Sequence, residues 1–82
     1  MTRITNGSVV RAKAGRDKDG YFVVVNMEDG YCFIADGKRR KAENPKKKKL
    51  IHLAPTNTTL TDTMDTNRKI RKALKDFSEG TL

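Results

Sequence analysis

At 82 residues, with 35% hydrophobic content and no tryptophan, the chain has material for one small domain, because a domain of this size buries only about 60% of the surface its unfolded chain exposes. One cysteine excludes an internal disulfide, and with a single histidine it also excludes a four-ligand zinc site of the usual kind within one chain. The net charge is +8 and almost all of it sits in residues 38–49, where eight cations face the one acid Glu43 for a local +7.

The surrounding segments are nearly neutral: residues 1–37 balance at zero and residues 50–82 carry +1. The block is therefore a local device, and clustered charge of one sign creates a field against which a polyanion can dock. The N-terminus lacks the charged and then apolar form of a signal peptide, and the longest apolar run, 21–25, falls far short of the roughly 20 residues a membrane span needs. A soluble, reduced, cytoplasmic protein without membrane contact is expected.

In chain order, 8–13 is the first predicted strand, and 21–27, rich in β-branched and aromatic residues, is the second. The loop "AGRDKDG" lies between them. Asp29 and Gly30 predict a tight hairpin into a third strand over 31–35, since both central positions of such a turn can take positive φ. Asp36 and Gly37 repeat the signal, so a further crossing is expected from Lys38, interrupted by Pro45, which cannot donate to a ladder. A short strand over 50–53 follows before Pro55. Four or five short strands spaced this closely predict a mainly β fold, a small antiparallel barrel over 1–55.

Residues 56–65 read as a polar linker. From Thr66 the period changes: Ile70, Ala73, Leu74 and Phe77 fall on one face of a helix over 66–79, with Asp65 or Thr66 to cap its start and Gly80 to end it. Arg68, Lys69, Arg71, Lys72 and Lys75 occupy its remaining surface.

Catalytic chemistry has little to stand on, so no enzyme and no cofactor or metal site is expected. Cys32 and His52 lie on separate predicted strands with no motif to pair them as nucleophile and base, and a free cysteine in a strand is most often a small buried hydrophobe. In "AGRDKDG", Gly15 and Gly20 bracket a turn that offers Arg16, Lys18 and backbone amides to phosphate, although its spacing is not that of a Walker loop. Tyr21, Phe22, Tyr31 and Phe33 are expected in core packing, which leaves few rings for base stacking.

The run "NGSVVRAKAGRDKDGYFVVV" resembles a KOW motif, in which two strands flank a glycine-containing basic loop. With "DGKRRKAENPKKKKLIHL" behind it, the chain is similar over about residues 7–53 to the short bacterial KOW-domain RNA-binding proteins, relatives of archaeal and eukaryotic large-subunit ribosomal proteins. The end "TNRKIRKAL" is also similar to the tail of those short forms. The resemblance implies an SH3-like β-barrel and structured RNA, ribosomal RNA foremost, as partner. It places Gly15, Arg16, Asp17 and Lys18 at the motif's "GRDK" positions. The family pattern has glycine directly after that lysine, whereas here Asp19 stands there and Gly20 follows.

The expected RNA-binding set is Lys13, Gly15, Arg16, Lys18, Lys38, Arg39, Arg40, Lys41, Lys46, Lys47, Lys48 and Lys49. Lysine and arginine suit that role because neutralising phosphates releases counterions, and arginine adds forked donors. The expected protein is thus a monomeric, ribosome-associated RNA binder that grips the backbone by shape. The alternatives are a duplex-DNA module using the same charge, and an interaction barrel of the transcription or translation machinery whose helix 66–79 docks ribosomal or transcription proteins.

Overall fold

The computed structural model describes residues 4–61 and 66–80. Five antiparallel strands, β1 (Ser8–Ala12), β2 (Tyr21–Glu28), β3 (Tyr31–Ala35), β4 (Lys46–Lys49) and β5 (Leu53–Thr59), form one sheet in the order β4-β3-β2-β1-β5, and one helix, α1 (Asn67–Ser78), follows. The mainly β class with a C-terminal helix is as the sequence predicts. The edge strands β4 and β5 are joined by a single 3-10 turn over Leu50–His52. A flat sheet would set them about 19 Å apart at roughly 4.8 Å per strand, and so short a link cannot span that. The sheet therefore curls toward a small barrel of the SH3-like kind, without a β4–β5 ladder to close it.

The run Phe22–Val24 is apolar because β2 is central and buried on both sides. Phe22 and Val24 join Val10, Ala12, Cys32, Ile34 and Leu53 inside the curl, while Val23 and Ala35 face outward and are covered by Ile70 of α1. Complete burial of Ile70 contributes about 1.5–3 kcal/mol and fixes the helix on the sheet. Thr66 caps α1 by accepting from the Lys69 amide, and Gly80 follows its end with φ 75°. The other predicted cap, Asp65, lies outside the described residues. No helix among the described residues is long and apolar enough to cross a membrane.

Four expectations need correction. The crossing expected from Lys38 begins at Lys46: Asp36 Oδ1 accepts from the Lys38 and Arg40 amides at 2.9 Å, which holds residues 36–40 as a loop. Pro45 does not interrupt a strand but precedes β4, a position that needs no ladder donor. The expected strand over 50–53 is instead the 3-10 turn, and β5 continues through Pro55 to Thr59, into the expected linker. Proline is tolerated there because β5 is an edge strand, and its threonines favour extended backbone. At the β2–β3 hairpin only Gly30 takes positive φ, 77°, so the turn differs from the doubly left-handed form that Asp29-Gly30 suggests.

Candidate nucleic-acid interface

The loop between β1 and β2 closes on itself through backbone bonds from Lys18 N to Gly15 O and from Gly20 N to Asp17 O, with Gly15 at φ 81°. This turns Arg16 and Lys18 outward, where both are exposed, and Asp17 inward. The Asp17 side chain is only 8% exposed; its Oδ2 accepts from Arg40 Nη2 at 3.0 Å and lies 3.8 Å from Lys48 Nζ. Lys48 Nζ also donates to Ala14 O at 3.0 Å. A Cβ on Gly15 would stand 3.2 Å from that ammonium, so glycine suits both the backbone angle and the close approach.

Burial opposes the charge on Asp17, but the Arg40 hydrogen bond and the charges of Arg40, Lys48 and Lys46 outweigh it and hold the carboxyl below the usual aspartate range. Arg40 Nε is buried without a partner, so the bond to Asp17 is what offsets the desolvation of that guanidinium. The consequence is geometric. One carboxylate ties the 13–20 loop to the 36–41 loop and to β4, bringing three separate segments to one margin of the molecule.

The 36–41 loop is fixed as firmly on its other side. Gly37, at φ 80°, lies under α1, where a Cβ would come within 2.6 Å of Asn67 O, and Arg71 Nη1 donates to Gly37 O at 3.0 Å. Asn67 receives the Ala42 amide and donates to Glu43 Oε2. The sole acid of the basic block thus lies at the N-terminal end of α1, where a negative charge is favoured. Its own backbone amide and Asn67 hold its carboxyl below the ordinary glutamate range.

The predicted residues divide accordingly. Lys13, Arg16, Lys18, Lys38, Arg39, Lys41, Lys46 and Lys49 are exposed and form no ion pair among the described residues. Arg40 and Lys48, expected as contacts, are drawn inward to Asp17. Lys47 is paired with Glu28 at 3.3 Å and lies over the Tyr31 ring, 4.6 Å from its centre. Because side chains alternate along a strand, Lys46 and Lys48 share the side of Ile34 and Cys32, whereas Lys47 and Lys49 share the side of Phe33 and Tyr31.

Sequence reasoning missed Asp17 as the anchor, since an acid in a basic loop signals only reduced charge until its partners are known. It also misplaced Tyr31, Phe33 and Tyr21. The first two are half-buried on the outer sheet face, and Tyr21 is 42% exposed with its ring 5.2 Å from that of Phe77. Only Phe22 of the four enters the core.

Asp19 has φ 69°, the only non-glycine residue in the left-handed region among those described. Glycine would be unstrained there. Asp19 is bound to Arg11 at 2.9 Å, which balances its charge away from Asp17. Cys32 is buried and its thiol is pushed up by desolvation, and His52 lies in the 3-10 turn, its carbonyl taking the Lys13 amide. The apolar side of α1 is committed to the sheet, so any partner of the helix meets its charged side. No protein-family model and no curated protein matches the chain.

Proposed function

We propose that the protein is a non-enzymatic RNA-binding module of the KOW type that grips structured RNA, ribosomal RNA foremost, through backbone phosphates. The observation that carries this reading is the convergence on Asp17. A carboxylate that holds two loops and an edge strand together leaves Arg16, Lys18, Lys38, Arg39 and Lys46 exposed around it on a fixed frame. Preorganised cations bind phosphates with less ordering cost than a charged tail would, and they recognise the spacing of a folded backbone rather than its bases. The "GRDK" residues support the same reading, with Arg16 and Lys18 as contacts and Asp17 as their anchor. A cytoplasmic, ribosome-associated location goes with it.

The test is equilibrium binding to a folded ribosomal RNA fragment and to a DNA hairpin of the same sequence over a salt series. If about five phosphates are neutralised, log K falls against log salt with a slope of roughly −3.5 to −4.5, and the RNA binds more tightly. A slope near zero overturns the phosphate reading; equal affinity for the DNA would favour a duplex-DNA module.

A further inference from the structure

The outer face of the sheet has two unlike ends. Along β3 the outward side chains are Ala35, Phe33 and Tyr31; Ala35 is covered by α1 and belongs to its apolar cluster, whereas Phe33 and Tyr31 lie beyond that cover and are half-buried. Cross-strand register aligns Asn26, Phe33 and Lys47 in one row and Glu28, Tyr31 and Lys49 in the next. An aromatic pair thus stands on an open sheet face with cations along its free edge. That edge is β4, whose other side carries Lys46 toward the Asp17 margin.

We propose that this face stacks an unpaired base of the bound RNA on the Tyr31 ring, with Phe33 beside it and Lys47 and Lys49 taking the flanking phosphates. The inference rests on the RNA-binding reading and adds a contact to bases. Aromatic rings on a sheet suit this task because every base offers a π face, and neighbouring cations neutralise the adjoining backbone.

The position of Lys47 supplies the mechanism of entry. Its ammonium covers Tyr31 and is held by Glu28 in a pair exposed by 50% and 56%, a class of ion pair that contributes little. An incoming nucleotide offers Lys47 a phosphate in place of Glu28 and leaves the ring to the base. Purely structural packing of Lys47 on Tyr31 would require no such exchange.

The probes are an eight-nucleotide oligoadenylate and a blunt RNA duplex, followed by proton NMR of the tyrosine rings. Tyr31 is assigned with the Tyr21→Phe variant, which keeps a ring against Phe77. The expected result is an upfield shift of the Tyr31 ring protons with oligoadenylate but not with the duplex. Tyr31→Leu should weaken oligoadenylate binding roughly five- to a hundredfold, with duplex affinity within about twofold. Should Tyr31→Leu fail to fold, the ring shift in the wild-type chain decides alone. Duplex binding with no ring shift from oligoadenylate and no loss in Tyr31→Leu overturns the stacking face and leaves phosphate binding standing. If the wild-type chain binds neither RNA, both readings fall.

Discussion

Asp17 and Arg40, 23 residues apart, are joined by a 3.0 Å charge-assisted hydrogen bond inside the margin where the cations collect. The pair makes one acid the organiser of a basic surface, and its removal should be felt both in folding and in binding.

Asp17→Asn should therefore lower stability by about 1.5–3 kcal/mol, the range for hydrogen bonds to charged groups, as read by urea unfolding at neutral pH. Arg40 and Lys48 would lose the charge that offsets their burial. RNA affinity should fall as well, despite the added net positive charge, because the frame loosens. An increase in affinity at unchanged stability would show that Asp17 is merely a charge in the way.

The same carboxyl gives a pH dependence. Its folded pKa lies below the unfolded value, so its stabilisation is complete above the ordinary aspartate pKa of about 3.9. It is lost as the pH falls through that value and then through the lower folded one. Unfolding free energies from pH 6 downward should show a smaller acid loss in Asp17→Asn than in the wild-type chain.

Among the four consecutive lysines, position decides the role. Lys48 is 10% exposed and bonded to Ala14 O, so Lys48→Gln should cost about 1–2 kcal/mol. Replacing Lys46, Lys47 and Lys49 together by glutamine should cost less than about 1 kcal/mol while weakening RNA binding several-fold. Circular dichroism melts beside a binding titration at fixed salt separate the two effects. Treating all four lysines as one interchangeable patch would confuse a folding defect with a lost contact.

Gly37→Ala should destabilise by about 2 kcal/mol or more, since φ is 80° and the new Cβ would come within 2.6 Å of Asn67 O. Urea unfolding measures it. Gly30 has φ 77° but open space around it, so Gly30→Ala carries the backbone penalty without the clash and should cost less.

Asp19→Gly removes a left-handed aspartate and an exposed pair with Arg11. The relief of backbone strain and the loss of the pair are each of order 1 kcal/mol or less, so stability should hold within about 1 kcal/mol. Affinity for RNA should rise two- to threefold as one acid leaves the loop. A titration of the variant against the wild-type chain at low salt checks this.

How much of this was legible beforehand depended on whether the signal was local. The Asp29–Gly30 hairpin and the Ile70–Phe77 helix face are written in neighbouring residues, and both elements formed where the pattern put them. Residues 36–45 misled for two reasons: Asp36 spends its carboxylate locally, on the Lys38 and Arg40 amides, and Gly37 is needed under α1, a fact that depends on a helix 30 residues away. Pro55 reads as a stop unless β5 is known to be an edge strand. The cations of the site were plain in composition, yet their division into exposed contacts and the inward Arg40 and Lys48 followed only from the partner chosen by Asp17.

The central claim is that cations around Asp17 meet RNA phosphates, and the salt slope of an altered protein tests it most directly. Arg16→Gln, Lys18→Gln and Lys46→Gln combined remove three exposed cations of that margin and touch neither Asp17's hydrogen bond nor the core. At roughly 0.7–0.9 per phosphate contact, the slope of log K against log salt should become shallower by about 2, with the fold intact by circular dichroism. An unchanged slope at unchanged affinity would contradict the account.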